Sequence, residues 1–163
     1  MKLIIIDTNI FVRIALGSKR YEKLLDLMPK EKVKVLIHNV ILAEALSVLL
    51  KAKENELFGK VDKERISLTP GARRDVFEDL VKRVAMLKVD IMDVGKAEVE
   101  GIIEKVRDVC ISAFDALTLV IANNVKPDLI VTDDRLFRNR ALRKRYNMCS
   151  EEELFEKLES LGL

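Results

Sequence analysis

Apolar positions along the chain follow two alternating periods. Short runs dominated by Ile, Leu and Val occur at Leu3 to Ile6, Val33 to Ile37, Val89 to Met92 and Leu129 to Val131. Runs this short and this apolar predict strands covered on both faces. Longer stretches between them predict helices over Thr8–Ala15, Lys19–Met28, Val40–Lys53, Pro70–Leu87, Lys96–Val109 and Ser112–Asn123. Pro29 stops the second, Asn39 is expected to cap the third, Pro70 opens the fourth, and Asn124 with Pro127 ends the sixth. Tyr146 to Cys149 reads as a short fifth strand. Ser150 with Glu153 three residues on is a capping box for a last helix to about Leu161. The alternation predicts one domain over residues 1–163. Its expected form is a three-layer α/β/α sandwich with a central parallel sheet of four to five strands. The mixed, charged stretch Lys53–Thr69, with Gly59 inside it, is expected to be a loop or short helix, an insertion or a flap.

Composition adds boundaries. A chain of 163 residues with 49% apolar content can bury a real core. The formal net charge is +2, so any affinity for nucleic acid must come from local patches. Cys110 and Cys149 show no CxxC spacing and read as free thiols in a reducing compartment. No apolar run reaches the roughly 20 residues of a membrane span. Met1 to Asp7 meets an acid too early for a signal peptide, so a cytoplasmic location without membrane contact is expected.

Four acids then change the picture. Asp7 ends the first strand, Glu44 interrupts the apolar run Val40 to Leu50, Asp115 interrupts Ile111 to Ala122, and Asp134 follows the fourth strand. Ionised carboxylates are rarely buried without a partner or a metal. Singly, each has a plain explanation as a helix-dipole or turn residue. Together they share an address. Asp7 and Asp134 lie just past the carboxyl ends of their strands, where sites form in parallel sheets. Glu44 sits early in the helix after strand two. Asp115 sits early in a helix that must start at the same edge to run antiparallel to strand four. Ile41 and Val48 flank Glu44 on one helix face, as Leu119 and Ala122 do Asp115. An oxygen-rich, sulfur-free site suits Mg²⁺ or Mn²⁺, as one or two ions, and such ions support phosphodiester hydrolysis. His38 is the lone histidine, too few for a zinc site, and is expected to be structural or at the surface.

With these residues in view, the chain resembles PIN-domain ribonucleases, and most closely the VapC type. The resemblance rests on Asp7-Thr8-Asn9, Glu44 in its apolar helix, Phe114-Asp115-Ala116-Leu117, and Thr132-Asp133-Asp134-Arg135-Leu136-Phe137. It implies that Asp7, Glu44, Asp115 and Asp134 bind Mg²⁺ or Mn²⁺ and cut single-stranded RNA. It implies that Thr8, Asn9 and Thr132 orient the site, with Asp133 a supporting neighbour. It also implies a homodimer and a toxin partnered by an antitoxin protein. An RNA-processing or ribosome-maturation nuclease uses the same site, and a non-catalytic RNA- or protein-binding module keeps the same fold.

Six basic residues, Arg135, Arg138, Arg140, Arg143, Lys144 and Arg145, follow Asp134 and are candidates to guide RNA phosphates. Arg13, Lys19 and Arg20 are candidates for the same groove, while Phe11 and Phe137 are expected in the core. A haloacid-dehalogenase-type phosphatase needs a second Asp two residues after its nucleophile, where this chain has Asn9. A response-regulator receiver needs a different acid pair.

Overall fold

The structure is a computed structural model that describes residues 1–28, 31–58, 68–109, 111–133 and 139–163. Strands β1 (Lys2–Ile6), β2 (Val33–His38), β3 (Asp90–Met92), β4 (Leu129–Val131) and β5 (Met148–Cys149) form one five-stranded sheet, in the order β3-β2-β1-β4-β5. Every pairing is parallel. Successive strand residues face opposite sides. In the central strand β1, Ile4 and Ile6 therefore enter one apolar layer, with Phe11, Leu24 and Ile41. Ile5 enters the other, with Leu119, Ile121 and Ile130. Each such side chain contributes about 1.5–3 kcal/mol by leaving water. The expected fold class, a parallel sheet between helical layers, is the one observed.

The helices are α1 (Thr8–Ala15), α2 (Glu22–Leu27, preceded by a 3-10 turn at Lys19–Tyr21), α3 (Asn39–Phe58), α4 (Pro70–Leu87), α5 (Lys96–Val109), α6 (Ala113–Val125), α7 (Arg140–Tyr146) and α8 (Leu154–Ser160). Several boundaries differ from expectation. Tyr146, expected in the fifth strand, instead ends α7, a helix the sequence reading did not place, and β5 is only Met148–Cys149. The expected Lys19–Met28 helix is a 3-10 turn followed by the shorter α2. Helix α3 runs on to Phe58, so the first part of the Lys53–Thr69 stretch is helical. Residues 59–67, and with them Gly59, lie outside the described residues, as do Pro29 and Cys110. Helix α6 passes through Asn124 and stops where Lys126 turns left-handed, at φ 49°. Asn39 does not cap α3. The His38 ring does, with Nδ1 accepting the Ile41 N–H at 3.3 Å. Asn39 is already helical, and its side chain reaches Asp93 and the Val94 amide, both at 3.4 Å.

The reciprocal bonds of the expected capping box are present, but they close the turn at residues 151–153 ahead of α8, whose N-cap Glu153 has no side-chain cap. The Ser150 N–H donates to Glu153 Oε2 at 3.2 Å, and the Glu153 N–H to Ser150 Oγ at 3.3 Å. Cys149 is a buried free thiol whose pKa burial pushes up to about 12. No helix among the described residues is long and apolar enough to cross a membrane.

Candidate active site

Three of the four acids line a single pocket of about 100 Å³ over the carboxyl edge of the sheet. Asp7, Thr8, Asn9, His38, Glu44 and Asp115 form its polar wall, with Ile41, Ser112, Phe114 and Thr118. Each acid comes from a different element, and each element begins at that edge.

Asp7 leaves β1 and caps α1. Its backbone N–H donates to Val131 O at 3.1 Å, tying it to β4, and its Oδ1 accepts the Ile10 N–H at 2.9 Å. Its Oδ2 is buried with no hydrogen-bond partner. Burial raises the Asp7 pKa, and hydrogen bonding from Thr132 and the Ile10 amide offsets this only in part. Thr132 is itself buried at the end of β4.

Glu44 lies in the second turn of α3, half-buried. The Thr8 hydroxyl donates to its Oε2 at 2.5 Å, linking the first two acids through α1. Of the two residues expected to place Glu44 on an apolar face, Ile41 is buried and Val48 is exposed. Glu44 therefore stands at the border of that face.

Asp115 is in the first turn of α6. Ser112, the N-cap, accepts the Asp115 N–H at 3.1 Å and donates its own hydroxyl to Asp115 Oδ2 at 2.8 Å. Leu119 and Ala122 below it are buried, as expected. The N-termini of α1, α3 and α6 thus converge, and their partial positive charge offsets some of the repulsion among the carboxylates.

Asp134, Arg135, Phe137 and Arg138 lie outside the described residues. Asp133 is described and does not line the pocket. Its Oδ1 accepts the Glu151 N–H at 2.8 Å, and its Oδ2 accepts from Arg13 at 3.1 Å. Among the described residues, no three His, Cys, Asp or Glu side chains form a group that could hold an ion. The three acids share a pocket rather than a closed cage.

The basic candidates divide. Arg13 joins Asp133 and the buried carboxylate of Glu151, with Arg20 at 3.8 Å from the same carboxylate. This cluster braces α1 against the loops after β4 and β5. It does not line the pocket, but Asp133 acts on Asp7 through its charge and a backbone hydrogen bond. Arg143 pairs with Glu153 at 2.5 Å. Arg140, Lys144 and Arg145 remain exposed on α7.

Sequence reasoning gave His38 and Phe114 no role in the pocket and passed over Ser112 and Glu151. His38, expected to be structural or at the surface, is structural: it is only 3% exposed, and it also lines the pocket wall. Its Nδ1 caps α3, and its Nε2 is buried without a partner. Burial lowers its pKa to about 4, so the ring is neutral at physiological pH. Ser112 was legible as a helix cap three residues before Asp115. Glu151 carried no local signal.

A parallel α/β sandwich with an acidic pocket over the carboxyl edge of its sheet defines the class to which this molecule belongs. Within that class the assignment is specific: a PIN-domain family model matches residues 4–142, and the chain belongs to the PIN-domain family. Members of that family are generally metal-dependent nucleases. In fold it is similar to PAE2754 from Pyrobaculum aerophilum, with a TM-score of 0.59 at 17% identity, covering 98% of each chain. It is also similar to VapBC2 from Rickettsia felis, whose crystal structure is bound to a DNA fragment from its promoter. There the TM-score is 0.57 at 16% identity, covering 91% of this chain and 98% of that one. Curated proteins include no match in sequence.

Proposed function

We propose that the chain is a metal-dependent endoribonuclease that hydrolyses phosphodiester bonds of single-stranded RNA. In this reading Asp7, Glu44, Asp115 and Asp134 form the catalytic and ion-holding set. The observation that carries it is the convergence of Asp7, Glu44 and Asp115 on one pocket, with a buried Asp7 oxygen that nothing else satisfies.

That orphaned oxygen fits a hard divalent cation, Mg²⁺ or Mn²⁺, as one or two ions. What such an ion supplies is Lewis-acid stabilisation of charge on the phosphate and activation of water. The protein's part is positioning. Thr8 engages one oxygen of Glu44 and the Ile10 amide one oxygen of Asp7, leaving both acids a second oxygen for the pocket. Ser112 sets the Asp115 carboxylate at the helix end, and Thr132 steadies Asp7 from the end of β4. Asn9, exposed on the rim, and Asp133, joined to Arg13, are supporting residues. Arg13, Arg135, Arg138 and Arg140 are proposed to attract the RNA backbone, with Arg13 also serving as a strut to Asp133 and Glu151. The whole chain acts as one domain, with residues around 53–69 as an insertion or flap.

The finer role proposed is that of a cytoplasmic toxin, a homodimer held in check by an antitoxin. Motif order supports this, together with the fold likeness to VapBC2 and its promoter DNA. Co-expression with the product of a neighbouring small gene encoding a DNA-binding protein should yield a stable, inactive complex. A free, active chain in that experiment favours an RNA-processing role instead.

The deciding experiment is cleavage of a labelled single-stranded RNA by the purified chain. Activity is expected with Mn²⁺ or Mg²⁺, none with EDTA, and none for Asp7→Asn. Cleavage that survives in Asp7→Asn removes the assignment.

A further inference from the structure

Resting on the nuclease reading, we propose that Phe114 is a stacking platform for a nucleobase at the mouth of the acidic pocket. Among the aromatic side chains described, Phe11 and Tyr21 are fully buried, Tyr146 is buried, and Phe155 is partly buried against the core. Only Phe77 and Phe114 are left about half exposed, at 52% and 53%. Phe77 lines an apolar groove between α3 and α4 that has no charged wall. Phe114 lines the same pocket as Asp7, Glu44 and Asp115.

The ring is not needed to seat its helix. Helix α6 buries an unbroken series from Ala116 to Ala122, which anchors it to the sheet. Phe114 stands two residues before that series, immediately before Asp115, where the helix begins and solvent is near. A large apolar ring left half in water beside carboxylates gains only part of its possible burial from the fold and repels no substrate. A π-face at that position offers what the acidic wall lacks. Carboxylates repel the phosphates of a nucleic acid, whereas every base has a face that stacks on an aromatic ring. A base resting on Phe114 would bring its own phosphate to the pocket without any base-specific hydrogen bond. The residue therefore acts in binding and positioning, and tolerates any base.

The chain contains no tryptophan, so Phe114→Trp introduces a single indole at the site, which can be excited apart from the two tyrosines. Single-stranded RNA should quench its fluorescence, and a poly-abasic strand of equal length should not. In Mn²⁺-dependent cleavage, Phe114→Leu keeps an apolar side chain and loses the π-face. It should raise KM about tenfold or more, with kcat much less affected, and Phe114→Trp should restore KM. Wild-type KM in Phe114→Leu, or an indole signal in Phe114→Trp that is blind to bases, overturns the platform while leaving the nuclease standing. A shift in oligomeric state with unchanged KM assigns the ring to self-association and also overturns it. If the wild type neither binds nor cleaves RNA, the nuclease reading falls and the platform with it.

Discussion

Asp7 and His38 show how single residues trade stability for a site. Ionised Asp7 has a buried oxygen without a partner, and burial raises its pKa. At pH above that raised pKa, the charge costs the fold free energy. Asn caps helices as well as Asp does. Asp7→Asn should therefore stabilise the metal-free protein at neutral pH by about 1 kcal/mol, or about 2–4 °C in Tm. Below the unfolded-state value of 3.8 the advantage should vanish, because both states then carry neutral Asp7. Melting curves in EDTA with and without added Mn²⁺ check this. The wild type should gain Tm with Mn²⁺, and the variant should not. His38 works in the opposite direction on the pH axis. Its pKa falls from 6.5 to about 4, so the unfolded chain binds its proton first. Its contribution is fully present above pH 6.5 and is lost as pH falls toward 4. The loss amounts to about 3 kcal/mol, at about 1.4 kcal/mol per pH unit for one proton. In His38→Ser, a cap without a titrating ring, urea unfolding across that range should lose about one proton's worth of slope. An unchanged slope would show that His38 is not the titrating group. The acids were visible in the sequence because charge inside an apolar run stands out. His38 was not, because a lone histidine carries no period and its role depends on which cavity β2 delivers it to.

At the scale of elements, alternation between short apolar runs and longer periodic ones placed the strands and most helices within a few residues. The misses have local causes. The Lys53–Phe58 segment is polar enough to read as a loop or a short helix, yet it extends α3, because charged residues on an exposed helix face cost little. Asn39 has the chemistry of a cap, but the preceding His38 reaches the Ile41 amide first. The Arg13 cluster had no signature at all, since Arg13, Asp133 and Glu151 are far apart in sequence and meet only when α1, β4 and β5 are assembled. Its consequence is measurable. Arg13→Ala strands the buried Glu151 carboxylate with Arg20 at 3.8 Å, and should destabilise by about 2 kcal/mol. Chemical denaturation reads this directly, and a loss below about 0.5 kcal/mol, the range of ordinary surface changes, would deny the strut its role. Arg13→Ala, Glu151→Gln together should cost less than the sum of the single changes.

For the whole molecule, a net charge of +2 leaves RNA attraction to where the charges sit. Arg140, Lys144 and Arg145 share one exposed helix after the region of the fourth acid. Arg140→Ala with Lys144→Ala should weaken RNA binding across all sequences with little change in Tm. The slope of log affinity against log salt should fall by about 0.7 for each phosphate no longer neutralised. An unchanged slope would move the RNA path elsewhere. The sequence alone determined the alternation of elements, the parallel sheet it demands, and the candidate acids, because burial periodicity and misplaced charge are both written in one dimension. Only the tertiary structure decided that Asp7, Glu44 and Asp115 open into one pocket, that His38 and Phe114 join its wall, and that Arg13 turns away to Glu151. Those outcomes depend on how separate helix starts converge at one sheet edge, and local sequence carries no record of distance through space.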